Sequence, residues 1–268
     1  MTYQDIVILS LIQGITEFLP VSSSAHLEIW HKIAGETPDD LTLDVAVHLG
    51  TLFSAIAYFR KDVLVALWGL KPLATGQFSA PEAALTRLLI IATVPLACVG
   101  VFVYLSPPVE DWLRQLWVIG TASIVFGILL WIAIRRFAGT KTVAAWTTRD
   151  ALLVGCFQAL ALIPGTSRSG ITLTGALALG YSRTEAARMA MLMSIPAIIL
   201  VTLPKLLEVV TGGNWALGVT ALLAMALSFV FGYLALTLMM RFLQTSVFGF
   251  YLVWRVLLGL TLLGFAFG

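Results

Sequence analysis

The feature that most constrains this chain is a series of apolar runs, each about as long as a bilayer is thick. An α-helix needs roughly 20 mostly apolar residues to cross about 30 Å of hydrocarbon. Six runs meet that requirement, at about 43–60, 86–105, 116–135, 186–206, 216–240 and 248–267. None shows the alternating pattern of a membrane β-barrel strand. Of the 268 residues, 59% are hydrophobic and only 11% charged, against roughly a quarter charged in soluble domains. These features predict an all-α integral membrane protein. The net charge of +2 carries no message about nucleic acid, which is not an expected partner. Cys98 and Cys156 lie in apolar runs without ligand or CxxC spacing and read as core thiols. The N-terminal MTYQDIVILSLIQG has no basic region and no small-residue cleavage site, so a removable signal peptide is not expected.

Two further apolar stretches, 5–33 and 150–181, are interrupted by Pro20 and Pro164, each followed by hydroxyl residues. The pieces on either side are too short to span. Irregular backbone at membrane depth is tolerated where it is buried in protein or lines a cavity, so both are expected to form re-entrant helical hairpins. The breaks resemble each other: QGITEFLPVSSSAH and QALALIPGTSRSG both run from Gln to Pro and into Ser. Pairing Pro20 with Pro164 sets Ser23 against Ser167, Ser24 against Arg168 and His26 against Gly170, with a one-residue gap at the Gln. Each half then holds one hairpin and three spans. Three is odd, so the second half inverts the first. The expected fold is one polytopic domain, 1–268, built as an inverted repeat of about 1–140 and about 148–268, with six transmembrane helices plus two re-entrant hairpins. In inverted repeats of this kind the breaks mark the binding site.

Charge orients the layout. The 60–87 connection carries Arg60, Lys61, Lys71 and Arg87, and the 135–149 connection carries Arg135, Arg136, Lys141 and Arg149; both are expected in the cytoplasm. The 33–44 segment, with Glu36, Asp39, Asp40 and Asp44, and the 106–115 loop, with Glu110 and Asp111, are expected outside together with both termini. The 206–215 loop has too little charge to orient.

The breaks concentrate the polar chemistry. Gln13 and Glu17 share a helix face, and an ionisable group within a membrane segment is a functional candidate by default. A structural carboxylate bound to backbone is the plainer alternative. A carboxylate beside an amide oxygen offers hard ligands for Mg²⁺ or Ca²⁺. Ser22, Ser23 and Ser24 exceed what one helix cap needs, and a helix N-terminus there can receive an anion. His26, three residues after Ser23, is a candidate base or proton shuttle. At the second break Arg168, flanked by Ser167, Ser169 and Thr172 and by Gly165 and Gly170, describes a cradle for phosphate or pyrophosphate. An Arg168–Glu17 ion pair is the structural alternative. Arg255, well inside the last run, is expected to face the bundle interior and share the anionic ligand. His48 reads as packing or support, and His31 as interfacial.

These residues carry a resemblance. QGITEFLPVSSSAH is similar to the (E/Q)xxxE-FLPVSS-xxH motif of the undecaprenyl-diphosphate phosphatases of the bacitracin-resistance type. PGTSRSGIT resembles that family's PGxSRSGxT motif, and LDVAVHLGTLFSAI its third recurrent segment. The resemblance implies a hydrolase of the bacterial inner (plasma) membrane that cuts a polyprenyl diphosphate to the monophosphate. That reaction recycles the lipid carrier of peptidoglycan synthesis and supports bacitracin resistance. It also implies a divalent cation, Mg²⁺ or Ca²⁺. Glu17, Ser23, His26, Arg168 and Arg255 fall on family functional positions. Gln13 stands where many members have Glu, which removes one carboxylate from a two-carboxylate metal site. His48 and Asp44 stand where the family often has Gln and Glu and receive no role.

Both lines give one expected site: Glu17, Ser23, His26 and Arg168 catalytic; Ser22, Ser167, Ser169, Thr172 and Arg255 binding substrate; Gln13 and Glu17 holding the cation. Either Ser23 attacks phosphorus with His26 as base, or His26 activates water and Ser23 only binds. The partners expected are the polyprenyl diphosphate and membrane lipids, with a homodimer also allowed. The rival class is a lipid flippase or anion transporter, the usual occupants of inverted-repeat folds. An intramembrane serine protease would leave Arg168 without a purpose.

Overall fold

The computed structural model describes residues 3–35, 40–211, 218–242 and 248–268. All named elements among them are helical. In chain order they are α1 (Tyr3–Phe18), α2 (Ser23–Ala34), α3 (Asp40–Tyr58), α4 (Arg60–Trp68), α5 (Leu70–Ala74), α6 (Ala84–Tyr104), α7 (Pro107–Leu113), α8 (Leu116–Arg136), α9 (Thr148–Ala159), α10 (Arg168–Ala178), α11 (Arg183–Thr211), α12 (Gly218–Phe242) and α13 (Phe248–Phe267). Six helices are long and apolar enough to cross a membrane: α3, α6, α8, α11, α12 and α13. They coincide with the six expected spans, and the protein is a multi-pass membrane protein. Pro95 and Pro196 sit within α6 and α11 without ending them, as neighbouring helices in a bundle allow. Glu36 and Asp39 of the acidic segment, and residues 212–215 of the 206–215 loop, lie outside the described residues.

The two interrupted stretches each give two short helices. α1 has 16 residues and α2 has 12, separated at 19–22. α9 has 12 residues and α10 has 11, separated by a single 3-10 turn at Leu160–Leu162 and an irregular stretch. The pairing built on the prolines is off by one residue. The helix caps match Ser22 with Ser167, so Ser23 corresponds to Arg168 and Ser24 to Ser169. The same offset carries Gln13 onto Gln158 without a gap.

Packing follows the rule for helices in lipid, where small residues let backbones approach. Gly155 of α9 lies against the backbone of Ala92 in α6, and Gly120 of α8 faces Gly259 of α13. A methyl group at any of these would strike the opposite helix. The expectation that Cys98 and Cys156 are core thiols is corrected: both are exposed on the surface of α6 and α9. An apolar run in a membrane protein covers its lipid-facing side as well as its core, so hydrophobicity alone does not mark the interior.

One end of the bundle is tied by polar contacts between connections. Arg188 of α11 bonds Asp62 of α4, and the Val143 amide donates to Glu185 at 2.7 Å. The Tyr181 hydroxyl donates to Asp150 at 2.7 Å, while Lys141 lies 3.7 Å from that carboxylate. Burial, with Asp150 beside it, pushes the Tyr181 phenol above its ordinary range. These bonds fix the 137–147 connection against the α10–α11 turn, so the C-terminal end of α10 is held from behind.

Candidate active site

The site is made where the two chain breaks meet. Glu17 stands in the last turn of α1 and Arg168 opens α10. Their side chains form a salt bridge, and each is largely buried, the guanidinium 15% and the carboxylate 7% exposed. Arg168 also donates to the Ser194 carbonyl of α11 at 2.7 Å. The other oxygen of Glu17, Oε2, accepts from Ser23 Oγ at 2.8 Å and from Gln13 Nε2 at 2.9 Å. The ion pair anticipated as the structural alternative is therefore formed, and it gathers Gln13, Glu17, Ser23 and Arg168 into one network.

Further bonds stitch the breaks together. The Gly165 amide donates to Ser24 Oγ at 3.2 Å, and Ser169 Oγ donates to the Leu19 carbonyl at 3.1 Å. Ser167 caps α10 by accepting from the Gly170 amide, and its hydroxyl lies 3.2 Å from that of Ser169. Gly165 has φ of +89°, and a Cβ there would collide with the Ile119 carbonyl. Glycine is required at this position on both counts.

Arg255 is 0% exposed. Its Nε donates to the Ser123 carbonyl at 3.0 Å, and its Nη2 to the carbonyls of Gly165 and Thr166, both at 2.8 Å. Gly127 of α8 leaves room for its stem. The expected interior placement holds, but most of the guanidinium is committed to backbone. Among the described residues only Nη1 of this guanidinium has no hydrogen-bond partner, and it lies 3.2 Å from where a Cβ on Gly170 would stand. The fold of the second break brings the Gly165 and Thr166 carbonyls to Arg255, and α8 brings that of Ser123, which no residue pattern announces.

His26 differs most from expectation. Its Nδ1 lies 2.7 Å from the Ser22 carbonyl, and its Nε2 accepts from the indole N–H of Trp254 at 2.8 Å. Both ring nitrogens are engaged away from Ser23, whose hydroxyl proton points to Glu17 instead. Trp254 was not legible as a site residue. Its one signal is its position, next to Arg255 and away from the ends of the span where membrane tryptophans usually sit.

Four buried polar atoms here have no partner among the described residues: Gln13 Oε1, Thr166 Oγ1, Thr172 Oγ1 and Arg255 Nη1. Buried polar atoms are almost always satisfied, so such a group marks where a polar ligand or water belongs. An acceptor beside Glu17, with hydroxyls and a guanidinium donor across the break, suits a multiply charged anion accompanied by a cation. His48 bonds the Asp44 carbonyl one turn back at 2.7 Å, and Asp44 lies 3.7 Å from His31; His48 also lies close enough to Glu17 to act on its carboxylate electrostatically.

Comparison with known proteins agrees with the motifs. A curated undecaprenyl-diphosphatase of Dinoroseobacter shibae is 46% identical over 267 residues, covering all of both chains. One from Roseobacter denitrificans is 45% identical over the same length. The undecaprenyl-diphosphatase 1 of Pseudoalteromonas translucida is 38% identical over 99% of both chains. The family model described as bacitracin resistance protein BacA matches residues 6–261, and the chain belongs to that family.

Proposed function

We propose that this protein is an undecaprenyl-diphosphate phosphatase, removing the terminal phosphate of a polyprenyl diphosphate in the bacterial plasma membrane. The observation that carries this reading is the network at the two breaks, in which a serine hydroxyl, a carboxylate and an arginine meet inside a membrane protein. It is joined by the full-length likeness to diphosphatases. A flippase needs an anion cradle but has no use for a serine hydrogen-bonded to a carboxylate.

The reaction follows from the residues. Arg168 exchanges Glu17 for the terminal phosphate, which bidentate guanidinium bonds suit. Ser167, Ser169, Thr172, Ser22 and Arg255 Nη1 supply further donors. Glu17, released from Arg168, takes the proton of Ser23 as its Oγ attacks phosphorus. The bridging P–O bond breaks and the lipid leaves as the monophosphate. Water then attacks the phosphoserine, giving its proton to His26 Nε2, while the Ser23 oxygen recovers its proton from Glu17. Glu17, not His26, is the acceptor for Ser23, because the Ser23 hydroxyl already donates to its Oε2 at 2.8 Å.

A divalent cation, Mg²⁺ or Ca²⁺, fits this chemistry. Gln13 Oε1 is a buried acceptor without a partner, and with Glu17 it offers two hard oxygens. No group of three or more acidic, His or Cys ligands occurs among the described residues, so Gln13 and Glu17 are the residues that would hold the ion. When bound, the ion neutralises charge on the phosphoryl oxygens.

The finer architecture belongs to the same proposal. Two inverted repeats are supported by the packing partners. α1 packs on α12 as α9 packs on α6, and α3 packs on α12 as α11 packs on α6. α10 meets α8 as α2 meets α13. The short helices of each break form re-entrant hairpins, with both termini outside and the headgroup reached from that side. The bonds joining the 60–87 and 135–149 connections to α11 support putting both basic connections at one, cytoplasmic, end.

Phosphate release from a polyprenyl diphosphate by the purified protein tests the function. Release that a chelator abolishes and added Mg²⁺ or Ca²⁺ restores is expected. No release from any prenyl diphosphate would overturn it.

A further inference from the structure

We propose that Trp254 is a positioning residue for His26, holding the ring oriented and neutral while the Ser22 carbonyl sets its tautomer. This rests on the diphosphatase reading above. The inference begins from donor and acceptor counts. Nδ1 faces a backbone carbonyl at 2.7 Å, which can only accept, so Nδ1 carries the ring proton. Nε2 faces an indole N–H at 2.8 Å, which can only donate, so Nε2 presents its lone pair. The two contacts together leave one form of the ring, neutral and protonated at Nδ1.

The ring geometry agrees. The imidazole and indole planes are within 9° of parallel with centroids 5.8 Å apart, so the hydrogen bond lies in the imidazole plane, where the Nε2 lone pair points. Trp254 is 41% exposed on α13, beside the exposed Phe250. A lipid-facing indole has no water to bond, so an internal acceptor for its N–H is favoured strongly. A doubly protonated ring would set Nε2–H against the indole N–H. The imidazole therefore accepts a proton at Nε2 only as the indole yields. In the proposed reaction that proton comes from the attacking water, and the indole N–H holds the place that the water hydrogen takes.

The test compares wild type, Trp254→Phe, His26→Ala and the double variant for phosphate release, with histidine ring ¹⁵N NMR in parallel. Trp254→Phe keeps an aromatic ring on a half-exposed surface and removes only the donor; Trp254→Tyr serves as a second variant. The expected result is a fall in kcat of about tenfold with KM changed less than about twofold. In the His26→Ala background the same change has no further effect. The ¹⁵N signals of His26, identified by their loss in His26→Ala, should show the neutral Nδ1–H ring in wild type and a larger share of doubly protonated ring at the same pH in Trp254→Phe. Additive losses in the double variant, or an unchanged protonation of the ring, would overturn the proposal. A wild type that releases no phosphate would overturn the diphosphatase reading instead, and the NMR comparison would still decide whether Trp254 holds the ring neutral.

Discussion

Ser22 and Ser167 share a backbone conformation that no other described non-glycine residue adopts, with φ of 71° and 67°. Both are the caps from which a helix starts after a break. Left-handed φ costs an L-residue roughly 1–2 kcal/mol, and the two sites differ in what offsets it. Ser167 Oγ accepts from the Gly170 amide, whereas Ser22 makes no side-chain cap. Ser22→Gly is therefore expected to raise stability by about 1 kcal/mol. Ser167→Gly should be near neutral, because the lost cap is worth about 1 kcal/mol. Thermal unfolding in detergent reads both, and a destabilised Ser22→Gly would contradict the account.

The Glu17–Arg168 pair joins two chain breaks 151 residues apart. Removing one member of a buried pair leaves an uncompensated charge and costs about 3–5 kcal/mol. Arg168→Ala and Glu17→Gln should each lower stability and abolish phosphate release. The combined variant Arg168→Met/Glu17→Gln should recover most of the stability and none of the activity. Unfolding midpoints and phosphate release measured on the same preparations separate the two effects. Activity that survives in either single variant would remove the pair from the site.

Much of this was readable from residues because lipid makes strict demands. Six spans were legible since an apolar run of bilayer length has few other uses, and both breaks since Pro20 and Pro164 interrupt runs otherwise suited to span. Register was not, because the proline is not the geometric anchor. One residue separates Pro20 from its cap Ser22, and two separate Pro164 from Ser167. Gln13, Glu17, Ser23 and Arg168 were found as polar groups too costly to bury idly. The partners of His26 and Arg255 were not. His26 Nδ1 bonds the carbonyl of Ser22, four residues back, and Nε2 meets a residue on the last helix. Arg255 binds backbone carbonyls, which every residue has and no sequence marks.

If Ser23 is the nucleophile, the two steps should separate by substitution. Ser23→Ala removes the attacking oxygen yet leaves the Glu17–Arg168 pair, so it should fold normally and release no phosphate. His26→Ala spares the attack and impairs the water step, so it should accumulate phosphate on Ser23. Mass spectrometry of acid-quenched His26→Ala after one turnover should find a phosphopeptide containing Ser23. Its absence, with phosphate still released slowly, would favour direct attack by water.

Gln13 is 0% exposed and hydrogen-bonds Glu17 through its amide N–H. Gln13→Glu replaces that donor with a second carboxylate beside the first. Two carboxylates sharing a buried site repel unless a proton or a cation lies between them. Without a divalent ion the variant should therefore be less stable than wild type, by about 1–3 kcal/mol. With one it gains a charged oxygen ligand, so its cation affinity should rise by at least about tenfold, since 1.4 kcal/mol suffices. Binding to the folded state alone stabilises by RT ln(1 + [L]/Kd), so its unfolding midpoint should climb with Mg²⁺ or Ca²⁺ while wild type without substrate responds weakly. Mn²⁺ titration followed by electron paramagnetic resonance measures the affinity directly. Equal cation response in the two proteins would show that Gln13 does not face the ion.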